Sequence, residues 1–404
     1  MTRILSFVGR SALIRALLFF VVCANTLSAA PCFTNATIQG GNLVLQGSGG
    51  INYGPYNLLS STNLALPQSK WLVAANGNFS SNGLFALTNA ANLSTGQQFY
   101  ALQPLSSSNS LWIPTCGAWL GAEVTNGASQ DFTAEATRIG RPLDILRIYH
   151  GVGSWTGLTS EEKTYIAAGQ KLLISFKPAS PWSNAGGSNV TVNAALKTLA
   201  QSVAGVAPAN LMVCIWHEPE NDVTANGGSD GTTGDYVSMW TNVQHIFRAN
   251  GATNVIWDWI IMNYSKYWGS LPGLWPGNTN VDWIGWDAYQ ETNTQNYVSA
   301  QTTAYNHMVS SSAAANNYLS KPWAWTEWGV GINGWYPTVA DQTNTFNAVN
   351  GAVNSNQFPK VKYMSYFDIS GSSAPNASSA ILPGAQAAYN ALANSPYLFQ
   401  KAPP

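Results

Sequence analysis

LMVCIWHEPEND, residues Leu211–Asp222, is the stretch on which the fold turns. Leu211–Trp216 is apolar throughout, as expected of a strand covered on both faces in a parallel sheet. Pro219 has no N–H to donate and stops the ladder, so His217 and Glu218 fall at the carboxyl end of that strand, facing a mouth rather than a core. Lys321–Gly331, KPWAWTEWGVG, repeats the design and offers Glu327. Alternation predicts Cys214, Trp216 and Glu218 on one face of the first strand, and Trp323, Trp325 and Glu327 on one face of the second. In a closed (β/α)8 barrel the carboxyl ends of the strands carry the chemistry, so both carboxylates are expected to point inward over one rim.

Working outward, eight strands are expected: 115–121, 144–150, 171–177, 211–216, 254–261, 281–287, 322–327 and 362–367. Helical stretches such as 159–168, 190–203 and 235–250 separate them, with Gly169 and Gly251 where helix C-caps belong. Alternating β and α elements imply a parallel sheet, and eight units over roughly 290 residues match a barrel. An open doubly wound sheet would show a Gly-rich phosphate turn after its first strand, which Gly117–Glu123 is not. The expected fold class is therefore α/β, a (β/α)8 barrel over 112–400.

Ahead of it, 31–105 consists of short apolar runs separated by Gly, Asn and Ser, an all-β signature. Asn76-Gly77 and Asn82-Gly83 read as turns there. Trp71, Tyr53, Tyr56 and Phe79 are expected in the core of this small module rather than on a sugar-binding platform, and 106–111 is a linker. Residues 1–30 read as a secretory signal: Arg3, Arg10 and Arg15, an apolar run from Ala16 to Ala24, and small residues Ser28, Ala29 and Ala30. The run is too short to span a bilayer comfortably, so the chain is expected to be secreted, free of the membrane once cleaved, and monomeric.

The 404 residues carry a formal net charge of -1 and only 9% charged side chains, which excludes the basic surface a nucleic-acid partner requires. Aromatics make up 12%, with 17 Trp, enough for a large core, for platforms against sugar rings, or for both. Cys32, Cys116 and Cys214 remain after the signal; the odd count gives no disulfide framework, and no Cys/His spacing suggests zinc. His217-Glu218-Pro219-Glu220-Asn221 lacks the second His of a zincin. No metal or organic cofactor is expected. Asp258, between Trp257 and Trp259, is expected to be a buried polar group paired with a neighbouring strand.

Two glutamates on separate strand ends suit hydrolysis of a glycosidic bond, which needs a proton for the leaving oxygen and a nucleophile or activated water on the other ring face. WHEPEND, WTEWG and the preceding VDWIGWDAY together resemble glycoside hydrolase family 26, over about residues 111–395. That resemblance implies Glu218 as general acid/base and Glu327 as nucleophile. It implies His217 orienting the acid/base or contacting sugar, Tyr289 bonding the nucleophile, and Asp287 lining the same subsite. It further implies His150, ending RIYHG, as a substrate ligand. Trp182, Trp259, Trp328 and Phe367 are candidate sugar-stacking surfaces. Pro219-Glu220-Asn221-Asp222 departs from the Trp-rich loop of many mannanases of that family. The expected function is a secreted retaining endo-β-glycosidase acting on β-mannan, β-1,3/1,4-glucan or β-1,3-xylan. A non-catalytic carbohydrate-binding protein on the same scaffold is the alternative, and another family of the same clan or a transglycosylase is a third.

Overall fold

The computed structural model describes residues 4–8, 15–17, 32–49, 55–66, 71–78, 80, 84–90, 97–104, 111–114, 117–124, 132–369, 379–395 and 397–398. The chain divides into two compact units, Met1–Ala118 with Asn394–Pro404, and Trp119–Ala393.

The first unit is antiparallel. One sheet orders β2 (Arg15–Leu17), β1 (Ile4–Val8), β8 (Gln97–Pro104), β5 (Pro55–Ser61) and β6 (Leu72–Asn78); the other orders β3 (Cys32–Gln39), β4 (Asn42–Ser48) and β7 (Phe85–Ala90). Gly40 and Gly41, both at positive φ, form the two-residue turn that pairs Gln39 with Asn42. Asn76 and Gly77, expected in a turn, instead lie within β6 opposite Asn57 and Tyr56. The ladder overrides the dipeptide's turn preference because β5 offers a continuous pairing edge. Asn82 and Gly83 lie outside the described residues. Tyr56 is buried with Phe33, Leu45, Leu58 and Phe85, and Trp71 with Leu59 and Phe99, whereas Tyr53, Phe79 and Cys116 lie outside the described residues.

The second unit is a closed barrel of eight parallel strands: β9 (Trp119–Val124), β10 (Ile145–His150), β11 (Lys171–Phe176), β12 (Leu211–Ile215), β13 (Val255–Ile261), β14 (Trp283–Gln290), β15 (Trp323–Val330) and β16 (Val361–Asp368). Its helices are α1 (Phe132–Ile139), α2 (Ser160–Ala167), α3 (Val190–Ala204), α4 (Thr233–Ala249), α5 (Leu271–Leu274), α6 (Tyr297–Ser310), α7 (Val339–Asn354) and α8 (Gln386–Ala393). Three helices begin at boxes written in the sequence. Thr159 with Glu162, Thr232 with Asp235 and Thr338 with Asp341 exchange side-chain and backbone hydrogen bonds across the first turns of α2, α4 and α7. Gly169 and Gly251 follow α2 and α4 at φ 77 and 85, conformations a side chain disfavours. Aromatic side chains fill the space between sheet and helices: Trp257 against Trp240 and Phe247, Trp325 against Tyr297 and Phe358, Tyr366 against Phe346 and Tyr389.

Several boundaries differ from the expected ones: β14 and β15 run past 287 and 327 to Gln290 and Val330, and two other shifts have a clear cause. The first barrel strand starts at Trp119, where pairing with Tyr363 begins. The fourth ends at Ile215, because Trp216 has φ 58 and leaves the extended region. Among the described residues, no helix is long and apolar enough to cross a membrane.

Candidate active site

The carboxyl end of the barrel collects Glu218, Asp287 and Glu327, each offering an oxygen within 4.8 Å of the others. Two backbone irregularities put them there. After β12, Trp216 and Glu218 both adopt left-handed conformations, at φ 58 and 55. Each costs about 1–2 kcal/mol for a non-glycine residue. The two reversals flank His217 and aim Glu218 at the rim, while its amide still bonds the Ile260 carbonyl at 3.0 Å. The turn is braced: Trp216 Nε1 donates to Asp222 Oδ2 at 2.7 Å, and Lys177 lies over the Trp216 ring. Glu220 is fully buried and accepts the Met262 and Asn263 amides, which ties this turn to the one after β13.

The second irregularity is a β-bulge in β15. Trp325 pairs with Trp286, but Asp287 pairs with Glu327, so Thr326 is the extra residue. Trp323 and Trp325 face the helices, packing on Tyr305 and Tyr297. The expected shared face of Trp323, Trp325 and Glu327 is thereby corrected. The bulge turns both Thr326 and Glu327 inward, and Thr326 Oγ1 donates to Asp287 Oδ1 at 2.8 Å. Gly285 makes the room, since a Cβ there would lie 2.3 Å from Thr326 Cγ2.

Glu327 receives three donors. Arg147 Nη2 reaches Oε1 at 3.0 Å, Tyr149 Oη reaches the same oxygen at 2.5 Å, and Tyr289 Oη reaches Oε2 at 2.8 Å. Arg147 is fully buried and also donates through Nε to Tyr149 Oη at 2.6 Å. Glu218 has a different environment. Burial first, then the charges of Glu327 and Glu220, push its carboxyl up to about 8, against the opposing pull of Lys177 and Arg147. Asp287 is driven well above the carboxylate range by burial and the Glu327 charge, with Arg147 opposing. His217, half-buried with its ring edge-on to Tyr149, is held neutral by burial and by the charges of Arg147 and Lys177. One carboxyl is thus cationically paired and fully bonded, and its neighbour retains a proton at neutral pH.

Four of the expected substrate contacts are placed elsewhere. His150 alternates out of the barrel, because Arg147 and Tyr149 take the inward positions of β10. It bonds Glu162 of α2 at 2.8 Å and stacks on Trp155. Trp182, Trp259 and Trp328 are 0%, 0% and 1% exposed, leaving no face for a sugar. They pack respectively on Trp216 and Tyr236, on Trp275 and Tyr318, and on Tyr297, Phe346 and Tyr366. Phe367 differs: it is half-buried on the inward face of β16, edge-on to Tyr289. Beside Asp287 and Tyr289 lies a cavity of about 660 Å³ bounded also by Asn221, Tyr264, Trp268, Glu291 and Asn333. Arg147, Tyr149, Thr326 and Tyr264 are site residues that the sequence reading missed.

A parallel (β/α)8 barrel with carboxylates paired at its C-terminal rim defines the class of scaffold. No family model matches the chain. Endoglucanase H of Acetivibrio thermocellus is 27% identical over 219 residues, 51% of this chain and 23% of the relative, so the chain spans less than a quarter of that curated protein's length. Among solved structures, a ruminal GH26 endo-β-1,4-mannanase superposes with a TM-score of 0.52 at 12% identity, covering 94% of this chain and 93% of its own. A GH26 β-mannanase from Bacteroides ovatus gives 0.52 at 16% identity over 72% and 92%. GH26C from Muricauda sp. MAR_2010_75 gives 0.51 at 14% over 72% and 90%. The fold is the one these family 26 proteins have, in keeping with the resemblance carried by the WHEPEND, VDWIGWDAY and WTEWG motifs.

Proposed function

We propose that the barrel is a retaining endo-β-glycosidase of family 26 type. The observation that carries this reading is the asymmetry of two glutamates whose oxygens lie within 4.8 Å of each other. A carboxyl separation of about 5–5.5 Å leaves no room for a water between carboxylate and sugar and favours double displacement with retention. Glu327, ion-paired with Arg147 and oriented by Tyr149 and Tyr289, attacks the anomeric carbon. Glu218 gives its proton to the leaving oxygen. Once Glu327 is esterified, a neighbouring negative charge is gone, so Glu218 holds its proton less tightly and takes one from the attacking water. His217, neutral, and Asp287, protonated, offer hydrogen bonds without adding charge.

The substrate is a polysaccharide, β-mannan, mixed-linkage β-glucan or β-1,3-xylan, bound in the open cleft where Phe367 and Tyr264 present partly exposed rings. Export through residues 1–30 fits extracellular polymer degradation. Cleavage near Ser28–Ala30 would remove β1 and β2, leaving β8, β5 and β6 of that sheet. The purified protein is to be assayed on galactomannan, barley β-glucan and β-1,3-xylan, with product configuration read by NMR. Release of products with retained configuration, abolished by Glu327→Ala, is expected. Inverted products, or a Glu327→Ala variant with more than a few per cent activity, would refute the mechanism; retardation on these polymers without product release would favour the non-catalytic reading.

A further inference from the structure

The two-glutamate chemistry leaves one buried acid unused. Asp258 projects from β13 into the barrel, while Trp257 and Trp259 on either side pack outward. It is fully buried, and neither carboxylate oxygen has a hydrogen-bond partner in full geometry, the Gly285 amide acting on it more weakly. The neighbouring strand β14 thus reaches it only through that Gly285 amide. The titratable and charged groups facing it are Arg147 of β10, Cys214 of β12, Asp282 before β14 and Tyr363 of β16. Ser175 of β11 and Ser365 of β16 also end in buried hydroxyl oxygens without partners. Buried polar atoms left this way are met by internal water when the space is polar.

Counting charge decides the ionic state. Glu123, Asp258, Asp287 and Glu327 are buried and Glu218 half-buried along this interior, and Arg147 is the fully buried guanidinium there, bonded to Glu327. One buried cation stabilises one buried anion; a second, unpaired, is strongly disfavoured. We propose that Asp258 is a positioning residue that stays protonated and by its neutrality reserves Arg147 for Glu327. When it ionises, a second anion facing Arg147 competes with Glu327 and turnover falls. Burial, opposed by Arg147 and reinforced by Asp282, pushes this carboxyl up to about 7, so the loss sets in as pH rises through neutrality.

The inference rests on the two-glutamate reading, and the test separates the two. The kcat of wild type, Asp258→Asn and Glu327→Gln is measured from pH 5.5 to 8 on whichever polymer of the galactomannan, β-glucan and β-1,3-xylan panel the wild type cuts fastest. Asparagine keeps the shape and cannot ionise. At one pH unit above its ionisation about one-tenth of the wild-type acid remains protonated, so the Asp258→Asn to wild-type ratio is expected to rise about ten-fold across the range. A ratio that stays flat, or an Asp258→Asn protein folded but inactive at every pH, would overturn the proposal. If Asp258→Asn does not fold, wild type carrying 13C-labelled aspartate carboxyls is titrated instead: Asp258 and Asp287 should both still be protonated at pH 6, and fewer than two such signals overturns the proposal. Activity retained by Glu327→Gln would sink the parent reading, whereas a flat ratio with Glu327→Gln inactive sinks this inference alone.

Discussion

Under the proposed double displacement, Tyr149→Phe removes one hydroxyl and tests how Glu327 is held. That hydroxyl donates to Glu327 Oε1 at 2.5 Å and accepts from Arg147 Nε at 2.6 Å. A hydrogen bond to a charged group contributes about 1.5–3 kcal/mol. The effect should fall on one step more than the other. In the first step Glu327 gives up its charge, so the donor stabilises reactant more than transition state, and its removal costs orientation but raises basicity. In the second step Glu327 is the leaving group and its charge returns, so the donor stabilises the transition state. Hydrolysis of the glycosyl-enzyme should therefore slow by about 10- to 150-fold, the range corresponding to 1.5–3 kcal/mol. On an activated aryl β-glycoside, kcat should fall by that factor, KM should fall with it as the intermediate accumulates, and rapid mixing should show a burst of one aryl group per enzyme. Arg147 and Tyr289 remain, so the nucleophile keeps its ion pair and its second oxygen's partner. A kcat within about two-fold of wild type with KM unchanged would refute the assignment of Tyr149 to the nucleophile.

Two further outcomes follow from the same geometry. Glu218 must carry a proton to act as acid and its carboxyl is raised to about 8; in the Asp258→Asn background, activity on polymer should fall as pH rises through that value, and Glu218→Ala should lose this limb while retaining activity on activated aryl glycosides. His150→Ala should leave kcat and KM within about two-fold but lower the melting temperature, since its imidazole bonds Glu162 on the outer face of β10 and such a bond contributes about 1–3 kcal/mol; a ten-fold rise in KM would restore it as a substrate ligand.

The barrel was legible because its strands are buried on both sides. LMVCI is apolar and buried at every residue, KLLISF is buried from Leu172 to Phe176, and the capping boxes at Thr159, Thr232 and Thr338 mark where helices begin. The two glutamates were legible for the opposite reason, as acids closing apolar runs. What failed was parity. Simple alternation holds only in a regular ladder, and both glutamate-bearing strands are irregular at the residue that matters: the bulge at Thr326 depends on Gly285 and Asp287 of β14, which no reading of β15 by itself contains. His150 shows the reverse case. Arg147 in the middle of an apolar strand needs an anionic partner, and the barrel interior supplies Glu327. Alternation from Arg147 then selects Tyr149, not His150, as the inward residue.

The tryptophans fail as sugar platforms for a physical reason that also explains why the site holds its shape. Left-handed backbone at Trp216 and Glu218 persists only where surrounding contacts over-determine it. Trp182 packs edge-on to Trp216 at 5.7 Å and onto Tyr236 at 5.2 Å, filling the space into which the strained turn would otherwise relax. Tyr236 in turn donates to the Ile215 carbonyl at 3.2 Å, the last residue before the distortion. On β15 Trp328 follows Glu327 and is walled by Tyr297, Phe346 and Tyr366 from three different elements, which fixes the bulge from outside the barrel. Aromatic residues next to the two rim glutamates are thus needed on the outer face to make the inner face rigid. In the proposed reading, contact with substrate falls to half-buried rings reached from the mouth, such as Phe367 and Tyr264.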